Sequence, residues 1–269
     1  MNERVDVETF SFAPPEHRRP LLQIDGLRLG APQARAEALL GARSGVALEA
    51  RAGEVLAVLG GAGSGKTLLG AALFGHLPEG VRVLAGEGRR APEVLAQEAR
   101  ITLLPQHPKG RLDPDRRVRA QIGALLAQHR GLSGRAADEE AARILASLGL
   151  IDPPALMERR PRDLPLTLQQ CVLIAMAWAI RPSLAILDEP FAVLEPSVRL
   201  QLEARIAHLR DVRGTGFVLL TRDVGVVRRL ADRVALLDDG EIVELVTREA
   251  FFANPGHSAA RRLISAQPG

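Results

Sequence analysis

Gly60-Gly61-Ala62-Gly63-Ser64-Gly65-Lys66-Thr67 follows the apolar run Val55-Leu56-Ala57-Val58-Leu59 and precedes a stretch, Thr67 to Leu77, that reads as a helix. An unbroken apolar run ending in glycines suits a strand buried on both faces of a parallel sheet. The eight residues match G-x-x-x-x-G-K-[ST], and the strand–loop–helix setting gives that spacing its meaning. Glycines let successive backbone N–H groups turn inward around phosphate oxygens. The helix that follows offers its positive end to the same anion. Lys66 is then suited to the β- and γ-phosphates and the Thr67 hydroxyl to Mg²⁺. A glycine-rich turn with a chance lysine is the bland alternative, and the flanking strand and helix weigh against it.

Two further apolar runs extend the pattern. Leu184-Ala185-Ile186-Leu187 ends in the acidic pair Asp188-Glu189, and Phe217-Val218-Leu219-Leu220 ends in Thr221-Arg222-Asp223. At the carboxyl end of a strand, Asp188 can hold Mg²⁺ and Glu189 can orient or activate a water. An acidic pair alone is more simply a solvated loop; its pairing with the phosphate loop is what gives it a metal role. Between the runs lie helical patterns. Residues 110–165 are Ala-, Arg- and Glu-rich, with Ile144, Leu145 and Leu148 on one stripe. Gln170 to Ile180 is an apolar helix, and Leu202, Ile206 and Leu209 form another helical face. Short strands are expected over 21–59 and 82–104. The alternation predicts an α/β fold around a parallel sheet.

Composition bounds the rest. The 269 residues are 46% hydrophobic and 25% charged, which excludes disordered, collagenous and small disulfide-framework chains. The sole cysteine, Cys171, allows neither an internal disulfide nor a cysteine metal cluster, so a reducing compartment is expected. Cys171 and Trp178, on one apolar helix, read as core. No apolar run approaches the length needed to span a bilayer. Residues 1–20 read as a polar arm without the apolar core of a secretion signal. The pI near 9.9 suggests a nucleic-acid binder, yet the net charge is only +3. With no tyrosine and lysine only at 66 and 109, little titrates between histidine and arginine, so the pI is weak evidence and no nucleic-acid partner is expected.

With these landmarks in order, the chain resembles the ATP-binding subunits of ABC transporters. Gln106, in Leu104-Pro105-Gln106-His107-Pro108, is similar to the family's Q-loop, which senses Mg²⁺ and contacts the membrane subunit. A helical segment, a signature region, Asp188-Glu189, a loop near Glu195 and a switch loop at 221–223 follow in family order. Three stretches, VLGGAGSGKTLLGAALFGHLPEGV, QHPKGRLDPDRRVRAQI and FFANPGHSAARRLISAQP, resemble the dipeptide/oligopeptide/nickel importer branch. That branch often carries a four-cysteine iron–sulfur motif, which a single cysteine rules out. The resemblance implies a P-loop NTPase of ABC type, with a parallel-sheet core, an antiparallel β subdomain and a helical subdomain. The expected layout is an arm over 1–20, an ATP-binding domain over 21–250 with its helical part near 110–180, and an importer-type extension over 251–269. ATP and Mg²⁺ would be held by residues 60–67 with Gln106 and Asp188, and Glu189, Gln106 and Arg222 would serve hydrolysis. The implied partners are a second ABC ATPase subunit in a heterodimer, permease subunits and, indirectly, a solute-binding protein, at the cytoplasmic face of the membrane.

Departures from the family pattern bear on mechanism. The signature Leu-Ser-Gly-Gly-Gln is replaced by Leu164-Pro165-Leu166-Thr167-Leu168-Gln169. Proline has no N–H, and Leu166 carries bulk where a backbone must approach a phosphate closely. Ser133, in an upstream Leu-Ser-Gly, reads as a loop or helix-cap residue. Arg222 stands where the family has a histidine; it is permanently charged and cannot accept a hydrogen bond. Glu195 replaces the D-loop aspartate, and Leu29 or Gly30 lies where an adenine-stacking aromatic is usual. Two readings follow, an importer ATPase and a nucleotide-binding, hydrolysis-poor regulatory subunit of the same kind of assembly. A soluble ABC ATPase acting on nucleic acid is a third. The Arg-rich segment 111–119 reads equally as a solvated helical face or a contact for lipid or a membrane subunit.

Overall fold

The computed structural model describes residues 18–31, 38–91, 101–108 and 110–266. Two sheets and a block of helices make up the fold. Strands β1 (Pro20–Gly30), β2 (Ala38–Leu40), β3 (Val46–Arg51) and β5 (Arg82–Arg90) form an antiparallel sheet in which β1 pairs with all three others. Strands β4 (Val55–Leu59), β6 (Ile101–Leu104), β7 (Leu184–Asp188), β8 (Gly216–Thr221), β9 (Arg233–Asp238) and β10 (Glu241–Thr247) form the second sheet, in the order β10-β9-β4-β8-β7-β6. Only the β9–β10 hairpin is antiparallel; the other four pairings are parallel. The parallel-sheet core and the antiparallel sheet expected from the sequence are both present.

Every residue of β4, β7 and β8 is buried, which is why these segments read as continuous apolar runs rather than alternating ones. Their registers align the strand ends: Leu59 pairs with Thr221, Asp188 with Leu220, and Leu104 with Leu187. The residues that follow β4, β6, β7 and β8 therefore emerge along one edge of the sheet, the edge where α/β folds place their ligands. Helix α1 (Lys66–Phe74) follows β4 and packs on the sheet at Gly70, where a Cβ would lie 2.6 Å from Leu220 Cδ1. It stops at Gly75, three residues short of its expected extent, because the Gly75 N–H turns back onto the carbonyls of Ala71 and Ala72.

Helices α2 (Val118–Arg130), α3 (Gly134–Ala146), α4 (Pro153–Glu158) and α5 (Leu166–Ala179) form the helical block. Ile144, Leu145 and Leu148 are buried with Ile122 and Leu126 of α2 and Val172, Ile174 and Trp178 of α5. Trp178 also meets Phe217 of β8 edge to face, with ring centroids 6.0 Å apart, which joins this block to the sheet. Helix α5 begins at Leu166, four residues before the apolar run suggested. The Arg-rich segment 111–119 is helical only from Val118. Before it, Asp113 Oδ1 accepts the N–H groups of Asp115 and Arg116, a side-chain turn that competes with helix. Its Arg117 and Arg119 are engaged by Glu158, at 2.6 and 2.9 Å.

Helix α6 (Pro196–Arg213) connects β7 to β8, and α7 (Val224–Leu230) connects β8 to β9. Helices α8 (Arg248–Ala253) and α9 (Ser258–Ala266) follow the last strand, and their Phe251, Ala259 and Ala260 are buried against Leu59, Val224 and Leu236. No helix among the described residues is long and apolar enough to cross a membrane.

Candidate functional site

The loop between β4 and α1 is shaped by its glycines. Gly60 is pressed against the adjoining strand, where a Cβ would lie 2.5 Å from the Leu237 carbonyl oxygen. Gly65, directly ahead of α1, has φ 102°, a conformation that side chains disfavour. Gly61 and Gly63, by contrast, face open space. The loop therefore keeps its form through Gly60, through Gly65 and through Gly63, whose φ is 75°, and presents a clear inner surface at Gly61 and Gly63.

Lys66 is buried at the start of α1, and its Nζ donates to the carbonyls of Gly60 and Gly61, both at 2.8 Å. Burial pushes its pKa below the usual lysine range, opposed by the carboxylates of Glu189 and Asp188. Asp188 closes β7 and is almost fully buried. Burial raises its pKa, against a hydrogen bond from Thr67 and the charge of Lys66. Its Oδ1 has no hydrogen-bond partner among the described residues. Glu189 has φ 45°, in the left-handed region, and its N–H is held by the Leu220 carbonyl at 2.9 Å. The carboxyl group is raised by burial as well, opposed by Lys66, by a hydrogen bond from Thr221 and by Arg222.

These groups share one cavity of about 380 Å³, lined by residues 62–68, Gln106, Asp188, Glu189 and Arg222. The structure thus brings Ala62, Gly63, Ser64, Gly65, Lys66, Thr67, Gln106, Asp188, Glu189 and Arg222 to one place; Gly60 and Gly61 supply the carbonyls that hold Lys66. Among the described residues no three His, Cys, Asp or Glu side chains cluster as a metal cage. Mg²⁺ is commonly held through one or two carboxylates together with substrate phosphates, and the carboxylates of Asp188 and Glu189 line this cavity. The orphaned oxygen of Asp188, its bond to Thr67 and the open inner face of the glycine loop suit a magnesium-bound phosphate chain.

The segment 164–171 does not line this cavity. Pro165 caps α5, Leu166 is 39% exposed, and the Thr167 hydroxyl donates to the Val193 carbonyl at 3.0 Å. Glu195 is exposed ahead of α6. Leu29 is fully buried in β1, and the side chain of Leu84 covers Gly30, so neither offers a stacking surface; residues 32–37, next along the chain, are outside the described residues. Ser133 does sit at the N-cap of α3, without a side-chain capping bond. His107 is exposed beside Gln106, and Lys109 is outside the described residues. Cys171 is buried, and burial lifts its thiol pKa to about 11.

Thr221, read from the sequence only as part of the switch loop, is a further site residue. Its hydroxyl donates to Glu189 Oε2 at 3.2 Å and accepts the Asp223 N–H at 3.1 Å. The available signal was its place as the last residue of a strand parallel to the one ending in Asp188. Behind it, Arg199 of α6 bonds Asp223 and approaches Glu203 at 3.4 Å, and Glu203 is held by Arg229 of α7 at 2.7 and 2.8 Å. Arg199 also lies over the Phe191 ring, 5.5 Å from its centroid. The loop after β7 is thereby tied to the loop after β8.

Residues 44–192, just over half of the chain, match the ABC transporter family. The chain is 32% identical over 261 residues to the peptidoglycan transport ATP-binding protein YejF of Agrobacterium fabrum, covering 93% of this chain and 47% of that protein. It is 30% identical over 231 residues to the oligopeptide transport ATP-binding protein OppD of Lactococcus lactis subsp. cremoris, covering 82% of this chain and 68% of that protein. A third relative, the glutathione import ATP-binding protein GsiA of Salmonella typhimurium, is 33% identical over 239 residues, covering 83% and 38%. The chain therefore spans about half of the first of these relatives and about two thirds of the second. Among solved structures, the dimeric structure of a bacterial ABC transporter cassette superposes with a TM-score of 0.72 at 21% identity, covering 85% of this chain and 99% of that one. An ATP-binding subunit of an ABC transporter superposes at 0.71 and 23% identity, covering 91% and 98%. These two likenesses show the fold. On the family match and the sequence relatives together, the chain belongs to the ABC transporter family.

Proposed function

We propose that this chain is the magnesium–ATP-binding subunit of a membrane importer for peptides, nickel or a similar small solute, acting as an ABC-type ATPase. The observation that carries the reading is the meeting of Lys66, Thr67, Gln106, Asp188, Glu189 and Arg222 in one cavity at the carboxyl edge of the sheet. The relatives named for peptidoglycan, oligopeptide and glutathione transport support the solute class. In this reading the chain pairs with a second ABC ATPase subunit and works with permease subunits and, through them, a solute-binding protein. It does so at the cytoplasmic face of the membrane, with no nucleic acid involved.

Lys66 exchanges the Gly60 and Gly61 carbonyls for phosphate oxygens, so an ammonium already desolvated in the apo chain meets a dispersed negative charge. The glycine-loop N–H groups hold the rest of the phosphate chain. Bound Mg²⁺ supplies further neutralisation of phosphate charge. Thr67 and Asp188 would hold it, with Gln106 at the side of the cavity. Glu189 orients the attacking water and takes its proton at the carboxylate; Thr221 fixes the direction of that carboxylate. Arg222 adds a fixed positive charge beside Glu189.

A second reading is favoured by Pro165, Leu166 and Arg222: binding is kept and hydrolysis is slow. Removing one preorganised donor from a transition state costs about 10²–10³ in rate, and here several such groups are changed. In a heterodimer, an intact partner would complete the Lys66 site, while the site served by Pro165 and Leu166 stays weak. Calorimetric titration with ATP and Mg²⁺ tests binding, with Lys66→Ala expected to abolish it; unchanged affinity in that variant removes the reading. Turnover of the isolated chain separates the two readings, since brisk hydrolysis without a partner contradicts the second.

A further inference from the structure

The opposite edge of the parallel sheet holds a second cavity, about 290 Å³, lined by Arg19, Trp178, Arg181, Arg205, Arg213 and Thr215 among others. It opens beside Ala52, Ser183 and Thr215, just ahead of β4, β7 and β8, the three strands whose far ends carry the phosphate loop, Asp188 and Thr221. A five-residue strand separates the two places by about 16 Å. Four guanidinium groups line this cavity, those of Arg19, Arg181 and Arg213 on exposed residues and that of Arg205 half-buried, and among the described residues no carboxylate lines it. Among the described residues the buried Arg205 Nε has no hydrogen-bond partner, and neither has the indole Nε1 of Trp178, a residue only 3% exposed. Arg181 sits at φ 50°, a conformation unusual for a side-chain-bearing residue.

The charges here repel one another. Burial, then neighbouring Arg130, lowers the pKa of Arg181; burial, then Arg205, lowers that of Arg213. The carboxylate that offsets them is Glu140, already engaged by Arg130 at 2.5 Å and by Arg143. Unpartnered buried donors are costly, and clustered guanidinium groups match the geometry of phosphate and carboxylate oxygens. The cavity lies near the lower end of the about 300–1,000 Å³ range of small-molecule sites, which calls for a compact ligand.

We propose that this cavity is a binding site for a compact multivalent oxyanion, bearing adjacent phosphate or carboxylate groups, separate from the ATP site. Trp178 is the only tryptophan of the chain and there is no tyrosine, so intrinsic fluorescence comes from a single residue that lines this cavity. The experiment titrates the Lys66→Ala variant, whose phosphate loop is disabled, with sodium diphosphate, with citrate and with potassium chloride at matched ionic strength. A saturable change in emission is expected with diphosphate or citrate, and whichever binds tighter assigns the anion class. Arg213→Gln, at the exposed rim, and Arg205→Gln are each expected to weaken that binding about tenfold, the loss of one charge-assisted contact. Titration calorimetry on the same proteins gives a readout independent of the tryptophan. No saturable response to either anion, an equal response to chloride, or binding that survives both substitutions overturns the proposal.

Discussion

The hydroxyl of Thr221 donates to Oε2 of Glu189 at 3.2 Å, so the last residue of one central strand aims the carboxylate that follows the next. Strands β7 and β8 pair in parallel, and the Glu189 N–H is anchored on Leu220, so both ends of this contact are fixed by the sheet. Asp223, two residues on, is engaged by Arg199, whose neighbour Glu203 is gripped by Arg229. Its carboxyl is held below the usual range: burial alone would raise it, and the Arg199 and Val226 N–H bonds outweigh burial. The carboxylates at this edge thus fall into two kinds, with Asp188 and Glu189 raised and Asp223 lowered.

Replacing Glu189 by Gln removes a charge that burial disfavours. The sign follows from linkage: a raised carboxyl pKa gives stability that is present at low pH and lost as pH rises through the folded-state pKa. At neutral pH the Glu189→Gln chain should therefore melt higher than the parent, while ATP turnover falls by about 10²–10³ with nucleotide binding retained. Differential scanning calorimetry and a phosphate-release assay check both halves. A lower melting temperature would contradict the burial cause.

Turnover in the parent should fall with acid at a higher pH than an unperturbed glutamate would give, because Glu189 must be ionised to accept a proton. A rate profile from pH 5 to 8, with binding checked at each point, reads this directly.

Restoring the family pattern should recover rate. The triple change Pro165→Ser, Leu166→Gly and Arg222→His returns a hydroxyl, a clear backbone approach and a hydrogen-bonding imidazole. If the chain works in the proposed pair, hydrolysis by that pair should rise at least about tenfold, the effect of one recovered transition-state contact. An unchanged rate would place the limiting step elsewhere.

Phe217→Ala empties a fully buried position that touches the Trp178 ring and ties the helical block to the sheet. A loss of about 3–5 kcal/mol in urea unfolding is expected. Trp178 emission follows the same transition.

Cys171 is fully buried with a thiol pKa pushed up to about 11. Thiol reagents at pH 8 should leave the native chain unlabelled and modify one thiol per chain after unfolding, since the thiolate is the reactive form.

Some of this was legible in the residues. Val55 to Thr67 determine the phosphate loop by themselves, because a strand, a glycine turn and a helix start are local backbone choices made by contiguous residues. The buried strands β4, β7 and β8 were equally plain, since strands covered on both faces are apolar at every position. Helix ends were less so: α1 stops early and α5 starts early, where a capping N–H and a proline set the boundary rather than hydrophobic pattern. Asp188 and Glu189 could be named from their place after an apolar strand, whereas Gln106 and Arg222 could be named only through resemblance to a family. What brings them within one cavity is strand order and register, which place the carboxyl ends of four separated segments on one edge. The same tertiary choice gathers Arg19, Arg181, Arg205 and Arg213 at the other edge, a cluster no local spacing announces. Chemistry made by neighbours in the chain is written in the chain; chemistry made across a sheet depends on the long-range pairing that only the folded molecule fixes.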